Sequence, residues 1–177
     1  MNSRRRGTRA LCVLAGAAVI AGCGSDRDVN SDPPTSPAPT VSAQPVDDTA
    51  AILAAYREFF GRQTEISLAP KDQRKSLLEP FTAAPALQRV LGGMFAADEV
   101  GEVAYGDSVL NPRVANVNGD EATVRDCQDN SKAGRKKAKT GKVVTRGAKR
   151  ADATVGMMRG ADGKWRVSTV EYASEPC

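Results

Sequence analysis

Asp126 is the carboxylate of this sequence best placed for acid–base chemistry. In the segment Glu121 to Gln128 apolar and polar residues alternate, so Ala122, Val124 and Asp126 share a face. A carboxyl buried against apolar neighbours holds its proton to higher pH and can serve as a general base. Its usual partner is missing, because the chain contains no His; that removes the default general base, the default pH switch and the commonest metal ligand. The plainer role for Asp126 is a bond to neighbouring backbone, or to an Arg beside a cysteine bridge.

A second concentration of chemistry is positive charge. Residues 130–150 hold Lys132, Arg135, Lys136, Lys137, Lys139, Lys142, Arg146, Lys149 and Arg150 with no acid among them. Gly134 to Gly141-Lys142 looks superficially like a phosphate-binding loop. Six residues separate its glycines, however, and Val143 stands where Ser or Thr must hold magnesium. No metal or cofactor is expected. Two readings of the run stay open. It is a solvated hairpin tip whose charges block edge pairing, or it touches anionic lipid headgroups or an anionic wall polymer, at about 1 kcal/mol per cation near such a surface. No aromatic residue interleaves the run to stack bases, and nucleic acid is not an expected partner.

The four cysteines sort by position. Met1 to Arg9 is basic, Ala10 to Ala21 is apolar, and Val19-Ile20-Ala21-Gly22-Cys23 looks like a bacterial lipobox. Residues 1–22 therefore read as a lipoprotein signal peptide and Cys23 as the lipidated residue. Two or more acyl chains would make that a durable anchor on the extracytoplasmic face of the cell membrane. The formal charge of +4 is the four arginines of that leader, since from Cys23 onward 21 basic residues face 21 acidic ones. Cys12 leaves with the leader, and Cys127 and Cys177 remain. In an oxidising compartment such a pair reads as one disulfide, closing a loop for which chain entropy suggests up to roughly 4 kcal/mol. A reactive or metal-binding pair would want a His, a C-x-x-C spacing or a third thiolate.

Residues 23–48 are Pro-, Ser- and Asp-rich with almost no large apolar side chain. Such a segment cannot offset its ordering entropy and reads as a disordered tether with a reach on the order of 25 to 30 Å. Residues 49–177 suit one domain. Asp47 or Asp48 can cap a helix from Thr49 that carries Ile52, Tyr56, Phe59 and Phe60 on one face and stops at Gly61. A short second helix follows Pro70 with Leu77 and Leu78. A third runs from Pro85, with Leu87, Val90, Leu91, Met94 and Phe95 at one-face spacing. Gly92-Gly93 in its middle predicts a close approach to a neighbour, or a bend. Strands then follow over Glu102 to Val117 with an irregularity at Asn111-Pro112, over Glu121 to Gln128 after an Asn118-Gly119 hairpin, over Lys142 to Met158, and from Lys164 to Tyr172. The expected fold is α+β, with three N-terminal helices packed on a curved four-stranded antiparallel sheet.

The order of these elements, the strand Val124-Arg125-Asp126-Cys127-Gln128-Asp129, the hairpin Asp162-Gly163-Lys164-Trp165-Arg166-Val167 and the terminal Cys177 are together similar to the NTF2-like (SnoaL-like) lipoproteins of high-GC Gram-positive bacteria. The resemblance spans about residues 47 to 177. It implies a cone-shaped half-barrel with a cavity between sheet and helices, and a disulfide tying the second strand to the C-terminus. Tyr56, Phe60, Phe95, Tyr105 and Trp165 are the candidates to line that cavity, although aromatics are first of all core residues. The superfamily contains isomerases and dehydratases as well as members that only bind, so fold does not settle function. The expected function is a lipid-anchored, non-catalytic domain that binds an unidentified small molecule. The alternatives are an isomerase- or dehydratase-like enzyme using Asp126, and a surface-contact module acting through Lys132, Arg135, Lys136, Lys137, Lys139 and Lys142.

Overall fold

The computed structural model describes residues 48–177. The expected signal peptide, the expected lipidation at Cys23 and the expected tether up to residue 47 lie outside the described residues. Among the described residues no helix is long and apolar enough to cross a membrane.

Among the described residues, four helical segments lead into seven strands. Helix α1 (Thr49–Gly61) buries Ile52, Tyr56 and Phe59, the 3.6-period face expected of it. Asp48 occupies the cap position without a side-chain cap bond; its carboxylate instead pairs with Arg159. Helix α2 (Gln63–Leu68) was not foreseen. It is six residues long and buries only Ile66, too short to show a period. Helix α3 (Arg74–Leu78) follows a turn closed by Gln73 N–H on the Pro70 carbonyl. Helix α4 (Ala86–Glu99) buries Leu87, Leu91, Met94 and Ala97. The close approach expected at Gly92-Gly93 is not found, because a Cβ added at either glycine meets no atom within 4 Å.

The single meander gives way to two antiparallel sheets. One contains β2 (Pro112–Asn118), β3 (Glu121–Gln128), β6 (Ala151–Arg159) and β7 (Trp165–Tyr172), in that order. The other contains β1 (Glu102–Tyr105), β4 (Gly134–Lys137) and β5 (Val143–Arg146), ordered β1-β4-β5. The extended segment 102–117 is thus two strands in different sheets. It breaks at Gly106, which has φ of +66° and lies where an added Cβ would sit 2.1 Å from the Lys132 carbonyl oxygen. Pro112 opens β2 on the sheet edge, where its missing N–H leaves no ladder bond unmade. The segment 142–158 is likewise split, between β5 and β6. The Asn118-Gly119 hairpin holds: Asn118 pairs with Glu121 across Gly119-Asp120, with Gly119 at φ +59°.

Helix α1 packs on β2 and β7, whereas α2 and α4 contact β1, and α4 also reaches β7. The main core joins Ile52, Tyr56 and Phe59 to Val124, Val155, Met157, Trp165 and Val167. A second cluster, Ile66, Leu78, Leu87, Leu91 and Met94, ties the later helices together, with Val90 touching both. Cys127 and Cys177 form a disulfide with a Cα–Cα distance of 5.8 Å, which fastens the C-terminus to β3.

Candidate functional site

Strand β3 turns Ala122, Val124, Asp126 and Gln128 to its buried face, so parity does place Asp126 inward. Both of its oxygens are engaged. The Tyr56 hydroxyl donates to Oδ2 at 2.7 Å, and the backbone N–H of Asn111 donates to Oδ1 at 2.8 Å. Gln128 extends the row: its Nε2 donates to the Tyr56 oxygen at 2.8 Å, and its Oε1 accepts from the Tyr172 hydroxyl at 3.0 Å. Burial first, and then the bond to Asp126, push the Tyr56 phenol well above its ordinary range. Burial also raises Tyr172. With an amide between the two phenols, holding its protons, the row is a satisfied network that runs from the buried Asp126 to Tyr172 at the surface, and no proton relay.

Asp126 borders only a small hollow of about 180 Å³ beside the disulfide, with Arg113, Arg125 and Asp152. It does not line the principal cleft. That cleft consists of two adjoining parts of about 300 and 590 Å³ which share Gln63, Val90, Ala104, Gly134, Val170 and Tyr172. It opens between α2 and α4 on one side and β1, β4, β5 and the end of β7 on the other. Val90, Met94, Ala97, Val103 and Val170 give the larger part apolar walls. Its size is that of an ordinary small-molecule site.

Of the aromatic candidates, Phe60 and Tyr105 line the smaller part, and the Tyr105 hydroxyl donates to the Thr145 carbonyl at 3.1 Å. Tyr56 stands behind the cleft, fully buried in the network. Trp165 is a core residue, 5% exposed, with the Arg159 guanidinium 4.8 Å from its ring centre. Phe95 points outward at 40% exposure, because the core face of α4 continues through Met94 and Ala97 and leaves it at the margin.

The basic run is more than a hairpin tip: its strands β4 and β5 make up most of the second sheet. Arg135 and Arg146 line the cleft, together with Arg89 of α4. Lys132, Lys136, Lys139 and Lys142 line neither part. Lys137 binds Glu102 at 3.0 Å. Of the other two acids that line the cleft, Asp98 is held by Arg74 at 2.7 Å and by Lys71 at 3.5 Å, and Asp107 is exposed at the rim of the smaller part. The Arg74 bond holds the Asp98 carboxyl below the usual carboxylate range. Gln128, Tyr172 and Arg89 were not anticipated as site residues. For Gln128 a signal existed, since it shares the strand parity of Asp126. Among the described residues no group of three or more Cys, Asp or Glu is arranged to hold a metal ion.

No family model matches this sequence, and no curated protein matches it either. Among solved structures, the intermembrane space region of chloroplast protein ARC6 is similar at a TM-score of 0.54 and 13% identity, over 74% of this chain and 100% of that one. At that identity the likeness is one of fold. A ketosteroid isomerase-like protein from Erwinia carotovora atroseptica aligns at 15% identity over 73% of this chain and 99% of its own, with a TM-score of 0.45. A Catenulispora acidiphila protein in complex with S-DNPA aligns at 14% identity over 70% and 94%, with a TM-score of 0.43. TM-scores under 0.5 fall short of establishing a shared fold. The α+β layout with two antiparallel sheets is consistent with an NTF2-like fold.

Proposed function

We propose that this chain is an NTF2-like binding domain of an extracytoplasmic lipoprotein, anchored through Cys23, whose cleft between α4 and the second sheet takes a small molecule without transforming it. One observation carries the reading: the cleft has apolar walls, while Asp126, the acid–base candidate read from the sequence, lies outside it with both oxygens bonded to Tyr56 and Asn111. A general base must reach the proton it takes, and no wall of the cleft presents this carboxylate.

Gly93 lines the cleft and leaves room for a side chain, which supplies the test. Nile red, an uncharged apolar dye, should bind the unacylated Cys23→Ala chain saturably and lose that binding in the Gly93→Leu variant, with Asp126→Asn binding as before. Equal binding with and without Gly93→Leu would refute the assignment of the cleft.

A second reading concerns the lysines. Lys139 and Lys142 are exposed at the far end of the β4–β5 hairpin and line no part of the cleft. They suit contact with the anionic headgroups of the membrane that holds the anchor. Replacing both by Gln should weaken binding to anionic vesicles in a salt-dependent manner; unchanged binding would exclude it.

A further inference from the structure

Two of the three arginines of the basic run, Arg135 and Arg146, line the cleft; Arg150 does not, and none of the lysines does. Arg89 approaches from α4, so that three guanidinium groups from two sides border the same space. None of the three makes an ion pair among the described residues, whereas Asp98 and Glu102 in the same walls are each held by a cation of their own. The bonds the arginines do make are long: Arg89 Nη1 donates to the Val170 carbonyl at 3.5 Å, and Arg135 Nη2 donates to the Gly93 carbonyl at 3.4 Å. Both sit at the weak end of the hydrogen-bond range and would readily be exchanged for a charged acceptor.

We infer that the ligand of this cleft is an amphiphilic anion, a molecule with an apolar body and one acidic headgroup, carboxylate or phosphate. The inference rests on the cleft being the binding site. The body lies along Val90, Met94, Val103 and Val170. The headgroup meets Arg135, which is half-buried, and Arg89 and Arg146, which stay exposed. Arginine suits this role better than lysine because its planar fork binds a carboxylate or phosphate through two parallel bonds. A wholly apolar ligand would strip water from the half-buried Arg135 guanidinium and give it no acceptor. The ammonium group of a zwitterion would find Asp98 and Glu102 of this wall already paired, while the remaining acid of the cleft, Asp107, lines only its smaller part.

Competition against Nile red on the unacylated Cys23→Ala chain tests this, with dodecanoate, dodecyl phosphate and dodecanol as competitors below their aggregation concentrations. Both anions should displace the dye at concentrations at least about tenfold lower than dodecanol does, the discrimination typical of a charge-assisted hydrogen bond. The ratio of dodecanoate to dodecyl phosphate then identifies which headgroup the fork prefers. Arg135→Gln, and independently Arg89→Gln on the other wall, should each weaken the anions about tenfold and leave dodecanol unchanged. The Lys139→Gln/Lys142→Gln pair should leave all three unchanged. If dodecanol competes as well as the anions, the cleft binds but selects no charge, and the inference is overturned while the site stands. A matching loss on removing the two lysines would assign the selectivity to diffuse positive charge and overturn it equally. Failure of every competitor to displace the dye would refute the cleft itself.

Discussion

The Tyr56 hydroxyl and the Asp126 carboxylate, 70 residues apart in the chain, meet at 2.7 Å in the core. This bond joins α1 to β3 and turns the chain's best candidate for a general base into a structural acceptor. In Tyr56→Phe, Asp126 Oδ2 and Gln128 Nε2 lose their shared partner inside the protein. A loss of about 1 to 3 kcal/mol in chemical denaturation is expected, the penalty for stranding buried polar groups, with dye binding in the cleft retained.

Burial of Tyr56, together with the same bond, sets an alkaline limit. A phenol raised in the folded state contributes stability that is complete below the unfolded tyrosine pKa, roughly 10, and is lost as pH rises toward the folded value. Tyr56 should therefore ionise only as the protein unfolds. Phenolate absorbance and circular dichroism should change together on the alkaline side, and Tyr56→Phe should flatten the pH dependence of stability there.

Reduction of the Cys127–Cys177 disulfide frees the C-terminus from β3. Its 50-residue separation corresponds to up to roughly 4 kcal/mol of chain entropy. Reductant should lower the melting temperature, and Cys127→Ala/Cys177→Ala should melt at the same lower temperature whether or not reductant is present.

Arg74 is 5% exposed, and its pair with Asp98 clamps α3 to the end of α4. Asp98→Ala leaves that guanidinium buried without its carboxylate, for an expected loss of about 3 kcal/mol. A depressed carboxyl contributes stability that is present above the unfolded pKa of about 4 and is lost as pH falls through the folded value. Acid titration of stability should accordingly show a shallower decline in the variant.

Gly92 and Gly134 should respond oppositely to Ala. At Gly92, inside α4, the new Cβ meets no atom within 4 Å, and helix propensity favours Ala by about 1 kcal/mol. At Gly134 it would sit 2.2 Å from the Thr145 backbone oxygen, which forces the β4–β5 pairing apart. Melting temperatures of the two variants check both signs.

The parts of the fold that were legible in sequence are those whose pattern is longer than their noise. Ile52, Tyr56 and Phe59 mark a full helical face, and Glu121 to Gln128 alternate over eight residues. Asn118-Gly119 named its turn, and the pair Cys127 and Cys177 named its bond. The second sheet was hidden because β1, β4 and β5 are four residues each and have no alternating burial. Gly134-Arg135-Lys136-Lys137 in particular reads as charge before it reads as strand. The cleft stayed hidden for the same reason, since that sheet forms one wall. Phe95 failed because helical spacing from Leu87 marks a face without marking where its edge lies.

The most direct measurement is isotope-filtered NMR of Nile red bound to the unacylated chain. The proposed site predicts contacts from the dye to the Met94 methyl and to the methyls of Val90 and Val170, and none to the exposed Val117, Val143 or Val144. Contacts confined to those exposed valines, with Met94 and Val170 silent, would contradict it.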